Sequence, residues 1–335
     1  MIDKLACPSC HKKYEVFENI YLCRKCDTKY VQSNGLLNFL PVLQNENGLD
    51  KLILENTGYE ILAAASSGDL RRADNLIQKI IKPLESQHES QQELAVKNII
   101  GPFEYFYEKH SKHLSENAKA NFTTIYNLLR YELECIAGKY DSSFVLPDKI
   151  IDNLPRGDYL EVCIGPGNNI KRIMDSGKAH TVTGCDISKR MVERASRFFD
   201  NGHSLFFRAD ANRLPLLDES FDVAIMLNTL DRIPDIRVAL RELYRVLRQE
   251  GSLVIGNCQP LQYEKFLDNG LRLTYVPKKN RIRNVCEAVE ISGCQLKEEI
   301  KSVPWHIETV IDNSEDLEVD VVVGIKNGTA KTNRI

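Results

Sequence analysis

Residues 159–188 read YLEVCIGPGNNIKRIMDSGKAHTVTGCDIS, and the rest of the chain is arranged around them. The run 159–164 has the length and β-branched content of a buried strand. Gly165 and Gly167 bracket a proline in a turn where the backbone can bend sharply and approach a ligand. Asn168 and Asn169 open a helix that carries Ile170, Ile173 and Met174 on one face. The free N–H groups of its first turn suit a carboxylate or phosphate. Asp186 ends the next strand, where a carboxylate can accept both hydroxyls of a ribose. The stretch predicts a nucleoside-binding βαβ unit in an α/β fold.

A dinucleotide fingerprint requires a small third residue in G-x-G-x-x-G/A, and Ile170 stands at that position. The pattern E-x-x-x-G-P-G-N-N, from Glu161 to Asn169, instead resembles motif I of class I S-adenosylmethionine (SAM) methyltransferases. It is most similar to the ubiquinone/menaquinone methyltransferase-like group, methyltransferase type 11. Cys163 departs from that pattern, standing where the family has glycine. The resemblance implies that Glu161, Gly165, Gly167, Asn169, Asp186 and Ile187 hold SAM. It also implies that Asp210 and Ala211, after a third strand at 204–209, meet the adenine. Asn228, just past a fourth strand at 221–227, falls where the methyl group would point.

From residue 141 onward strands and helices alternate, as in a doubly wound sheet. Ser188 caps a helix with Met191, Val192 and Ala195 on one face, and Asp235 caps another at 236–247. The phrase RVLRQEGSLVIGN resembles the passage into the fifth strand of the same family. A helix near 281–291 and strands near 295–304 and 319–325 fit its reversed terminal hairpin. The resemblance implies a Rossmann-like, seven-stranded, mostly parallel sheet.

Cys7-Pro-Ser-Cys10 and Cys23-Arg-Lys-Cys26 are two knuckles twelve residues apart. Each can offer two thiolates to one tetrahedral metal, and Tyr14, Val16, Ile20, Tyr21 and Leu22 read as the hairpin between them. Forty residues build too small a core alone, so a structural zinc supplies folding free energy. His11 is left at the surface. With the downstream N-G-L-x-x-F-L-P (34–41), the segment resembles the zinc-ribbon activator subunit of tRNA, rRNA and protein methyltransferases.

Residues 42–140 read as helical. Apolar positions run through Leu49, Leu52, Ile53, Leu54, Tyr59 and Leu62, and Asp69 caps a helix over 70–81. Phe103, Tyr105, Phe106 and Tyr107 read as core, and two further helices are expected at 118–129 and 131–138. The expected organisation is a zinc ribbon at 1–41, a helical cap at 42–140 and a methyltransferase domain at 141–335.

A net charge of −3 gives no general bias toward nucleic acid or anionic membrane. The absence of a long apolar run and of a leader predicts a cytoplasmic protein without a membrane span. Methyl transfer rests mainly on alignment and exclusion of water. A base helps some acceptors, and Asp231, His306 and Tyr107 are the candidates. The acceptor stays open between a small molecule and RNA. A protein partner or self-association through the ribbon or the helical region also stays open. The alternative is a noncatalytic adaptor docking through its ribbon, to which Cys163 lends the support.

Overall fold

The computed structural model describes residues 2–17, 20–33, 36–39, 61, 64, 67–86, 92, 100, 111–136, 141–142, 144–199, 202–261, 263–265, 274–309 and 313–327. Strands β1 (Glu15–Phe17), β2 (Ile20–Cys23), β3 (Thr28–Ser33) and β4 (Leu36–Asn38) pair antiparallel as a ribbon. Helices α1 (Leu70–Leu84) and α2 (Glu116–Ile136) follow, then β5 (Asp141–Ser142) and α3 (Asp148–Asn153). The alternating part begins with β6 (Gly157–Val162), α4 (Asn168–Asp175), β7 (Ala179–Asp186) and α5 (Lys189–Ser196). It continues with β8 (Ser204–Arg208), β9 (Phe221–Leu227), α6 (Ile236–Val246) and β10 (Leu247–Cys258). After the small pair β11 (Glu264–Lys265) and β12 (Thr274–Tyr275) come α7 (Val285–Ser292), β13 (Gln295–Thr309) and β14 (Asn313–Ile325).

The main sheet runs β1-β2-β3-β4-β8-β7-β6-β9-β10-β14-β13-β5. From β8 through β10 neighbouring strands are parallel, whereas β14 and β13 run antiparallel to their neighbours. Strand order reverses at β6, which pairs with β7 on one side and β9 on the other. At such a switch point a doubly wound sheet opens a crevice beyond the carboxyl ends of its strands. This is the Rossmann-like arrangement with a reversed terminal hairpin expected from the sequence. Its central strands are apolar nearly throughout because helices cover both faces: Tyr159, Leu160 and Val162 on β6 are buried, as are Val223 to Met226 on β9.

The ribbon extends this sheet. β4 lies parallel to β8 with Leu37 opposite Phe207, and the Phe39 N–H donates to the Arg208 carbonyl at 2.8 Å. The Phe39 ring meets Phe207 edge-on at 5.6 Å and packs with Tyr14, Tyr21 and Tyr30. Ahead of the ribbon, Ala6 N–H donates to the Pro215 carbonyl and Leu217 N–H to the Lys4 carbonyl, both at 2.7 Å. His11, expected at the surface, sits 3.6 Å from Glu242 on α6, and burial pushes its pKa down.

Asp69 caps α1 by accepting from Arg72 N–H at 2.9 Å, and the helix runs on through Pro83 to Leu84. The two helices expected at 118–129 and 131–138 are one, α2, since nothing in Leu129-Arg130-Tyr131 breaks a helix. Ala73, Ile77 and Ile81 of α1 pack with Phe122, Tyr126, Leu129 and Leu133 of α2 in a core of their own. Asp235 stands at the start of α6 without a capping bond, and α7 begins at Val285, where Asn284 caps it, rather than at 281. The readings at 42–60 and at Phe103, Tyr105, Phe106 and Tyr107 lie outside the described residues. Among those residues no helix is long and apolar enough to cross a membrane.

Candidate functional site

A cavity of about 160 Å³ lies at the carboxyl ends of β6, β7, β8 and β9. β6 and the elbow after it contribute Glu161, Cys163 and Gly165, and the tip of β7 contributes Asp186 and Ile187. Asp210 and Ala211 follow β8, and Asn228 follows β9. Strands far apart in sequence therefore bring most of the expected residues to one wall.

The two elbow glycines do different things. Gly165 has φ +52 with open space beside it, so the left-handed backbone is what favours glycine there. Gly167, at φ +86, is not on the wall; a Cβ there would meet the Cβ of Ala195 at 2.8 Å. Its smallness serves the approach of α4 to α5. Cys163 also has a left-handed backbone, φ +58, which accounts for glycine being the easier residue at that place. Asn169 reaches the cavity but is engaged by the chain itself. Its Oδ1 accepts from Leu146 N–H at 2.8 Å and its Nδ2 donates to the Phe144 carbonyl at 3.2 Å. The amide thus also holds the segment before α3 in place, beside the cavity that Asn169 lines.

The carboxyls are concentrated, with Glu161 and Asp186 buried and Asp210 half-buried. Asp186 accepts from Gly165 N–H at 3.1 Å and from Ser188 N–H at 2.9 Å, and burial pushes its pKa up to about 6. Glu161 is 3% exposed, and its Oε2 has no hydrogen-bond partner. Burial, reinforced by the charge of Asp186, drives the Glu161 pKa up to about 8 against the opposing Ile170 N–H. Asp210 accepts from Asn212 N–H at 2.9 Å and is also shifted upward by burial. Asn228 is held at φ +54 with its Oδ1 unpartnered. A buried carboxylate oxygen and a buried amide oxygen without partners are costly, so this wall suits a ligand that brings positive charge and donors.

The opposite wall was not anticipated. Thr124, Asn127 and Tyr131 project from α2, and their i, i+3, i+7 spacing on one helix face is the signal that could have found them. Phe144 and Trp305 complete it, ring centroids 6.4 Å apart and planes at 84°. Arg232 contacts the Tyr131 hydroxyl and lies 5.8 Å from that ring. The expected bases are placed otherwise. Asp231 is not on the wall. His306 is exposed beside Trp305 and paired with Asp316 at 2.8 Å, because successive side chains on β13 face opposite ways. Tyr107 lies outside the described residues.

At the ribbon, the sulfurs of Cys7, Cys10, Cys23 and Cys26 all lie within 4.8 Å of one another, and Cys10 and Cys23 approach to 3.5 Å. Tetrahedral coordination with metal–sulfur bonds of about 2.3 Å separates sulfurs by roughly 3.8 Å, so the four thiols fit such a site. The described cysteines are all free thiols.

Residues 160–255 match a family described as a methyltransferase domain. The chain is 34% identical over 101 residues to the demethylmenaquinone methyltransferase of Chlamydia pneumoniae, an alignment covering 30% of this chain and 44% of that one. It is 30% identical over 171 residues to the ubiquinone/menaquinone biosynthesis C-methyltransferase UbiE of Rickettsia akari, covering 45% of this chain and 68% of the relative. The chain thus spans between 44% and 68% of the length of these curated relatives. Among solved structures, a SAM-dependent methyltransferase from Methanosarcina mazei aligns at 16% identity with TM-score 0.44, covering 55% of this chain and 99% of that one. The strand order above, not that score, establishes the fold.

Proposed function

The chain belongs to the methyltransferase family, and from that premise we propose that it transfers a methyl group from SAM to a small-molecule acceptor. The observation that carries this reading is the convergence of the Gly165 elbow, Asp186, Asp210 and the unpartnered Oε2 of Glu161 on one cavity. SAM, when bound, supplies a methyl group already activated by its sulfonium. Asp186 accepts the ribose hydroxyls through lone pairs that Gly165 and Ser188 leave free. Asp210 and the Ala211 N–H meet the adenine edge, and Gly165 and Ile187 shape the floor. Glu161 offers its carboxylate to positive charge, and Asn228 offers Oδ1 beside it. Phe144, Trp305 and Tyr131 exclude water and align the acceptor, an orientation effect that can supply several kcal/mol.

The apolar rings beside the elbow, the net charge of −3 and the quinone-precursor names of the relatives support a small acceptor. An RNA acceptor draws its support from a cleft between ribbon and core that gathers Lys29, Arg71 and Arg213. The four ribbon thiols bind a structural zinc, and the free cysteines suit a reducing, cytoplasmic setting. Incubation of the protein with methyl-labelled SAM and fractionated cell extract tests the reading. Label in the small-molecule or lipid fraction is expected; label in RNA overturns the acceptor class, and no SAM-dependent transfer overturns the activity.

A further inference from the structure

The helical region contributes two buried carboxylates that are not part of the cavity wall, and both bear on the turn that follows β7. Glu132 on α2 is completely buried. Its Oε1 accepts from the Ser188 hydroxyl at 2.7 Å and from Arg190 N–H at 3.2 Å, and its Oε2 accepts from Gln78 at 3.0 Å. Ser188 is the N-cap of α5, and its own N–H donates to Asp186. An acid from another helix thus completes the cap of α5, one hydrogen bond removed from the carboxylate assigned to the ribose. Asp74 on α1 takes the Arg208 guanidinium through two bonds of 2.6 and 2.8 Å. The same guanidinium donates to the Ile187 carbonyl at 3.1 and 2.8 Å. The turn Asp186-Ile187-Ser188 is therefore held at its carbonyl by one latch and at its hydroxyl by the other.

We propose that Asp74 and Glu132 are positioning residues for the donor: they set the 186–188 turn so that Asp186 presents its free lone pairs to the ribose. The inference rests on the donor reading above and adds a task for the helical region. A helix pair serving only as a cover would need apolar contact with the core; here it commits two desolvated acids to one turn. Removing Glu132 frees the Ser188 hydroxyl proton to turn onto Asp186 and occupy a lone pair the ribose needs. Removing Asp74 releases Arg208, and with it the Ile187 carbonyl. Glutamine at 132 keeps an acceptor oxygen for the Ser188 hydroxyl and Arg190 N–H, giving up only the Oε2 contacts with Gln78 and the Arg190 guanidinium.

Calorimetry with S-adenosylhomocysteine, which needs no acceptor and undergoes no chemistry, reads this directly in the full chain. Glu132→Ala and Asp74→Ala are expected to weaken binding at least tenfold, and Glu132→Gln to stay within about threefold of the unaltered protein. Ile77→Ala, fully buried in the same helical core but without a bond to the turn, controls for lost stability. It is expected to bind within twofold at a comparable drop in melting temperature. Hydrogen exchange supplies a second readout: ligand should slow amide exchange in α2 of the unaltered protein and of Glu132→Gln, but not of Glu132→Ala. Equal weakening by Ile77→Ala, or unchanged affinity in both acid variants, overturns the proposal. Failure of the unaltered protein to bind S-adenosylhomocysteine overturns the donor reading itself, and this inference with it.

Discussion

The Gly165 N–H donates to Oδ2 of Asp186 at 3.1 Å, closing the elbow after β6 onto the tip of β7. The bond ties a left-handed glycine to a carboxylate whose charge burial disfavours, and it leaves that carboxylate oriented toward the cavity. Elbow geometry and the proposed ribose contact therefore rest on the same side chain.

Asp186→Ala removes the elbow's acceptor and the ribose contact together. Hydrogen bonds to charged groups contribute about 1.5–3 kcal/mol each, so donor affinity should fall at least a hundredfold. Asp186→Asn, which keeps one acceptor oxygen, should lose less. Titration calorimetry with S-adenosylhomocysteine separates the two, and affinity unchanged from the unaltered protein in both variants would remove Asp186 from the site.

Glu161 should make donor binding depend on pH. Its pKa is raised from the ordinary 4.5 to about 8 in the empty site, and positive charge binds only the ionised form. Affinity for SAM should rise with pH up to about 8 and level off above it, with a proton released on binding below that point. In the empty protein the sign is opposite: a raised carboxyl contributes stability present below pH 4.5 that is lost as pH rises through about 8. Glu161→Gln should remove the part of both dependences centred near pH 8 and leave that of Asp186 near 6. Calorimetry in two buffers of different ionisation enthalpy measures the proton, and no difference between them would exclude Glu161 as the group responsible.

Cys163 has the backbone of a glycine, φ +58, and a side chain that glycine lacks. A left-handed conformation costs a substituted residue about 1–2 kcal/mol, and most for a β-branched one. Relief of that strain is opposed by the greater freedom of an unfolded glycine, so Cys163→Gly should hold stability within about 1 kcal/mol. Donor affinity should hold or improve. Cys163→Val should lose more than 1 kcal/mol. Denaturant unfolding decides, and a valine variant as stable as the glycine one contradicts the backbone account.

The ribbon and the core should melt together. Phe39 stands between three ribbon tyrosines and Phe207 of β8, so loss of the proposed zinc should loosen the edge of the central sheet as well as the hairpins. A strong chelator, or Cys23→Ser, should lower the melting temperature of the whole chain in one transition, and Phe39→Ala should cost about 3–5 kcal/mol. A separate low-temperature ribbon transition with an unchanged main one would show the two to be independent.

The alternating core was legible because period and length carry it. The strand 221–227 and the start of α4 stand where the sequence places them, and Ser188 caps α5 by accepting from Met191 N–H. Contacts made between segments distant in sequence were not legible. Nothing in Leu36-Leu37-Asn38 announces that three residues will join a sheet at β8, since so short a strand has no period of its own. Glu132 and Asp74 sit in helices whose polar residues look solvated until the core is in place beside them. The structural task of Asn169 was equally hidden: its motif position suggests a ligand, and only the fold shows that its amide also bonds Phe144 and Leu146.

The most direct measurement is binding of SAM and of S-adenosylhomocysteine to the purified full chain by titration calorimetry, with NAD as the comparison ligand. The account predicts one site for each SAM-type ligand, abolished in Asp186→Ala, and no heat from NAD. Binding of NAD with none of SAM, or SAM binding indifferent to Asp186, would contradict it.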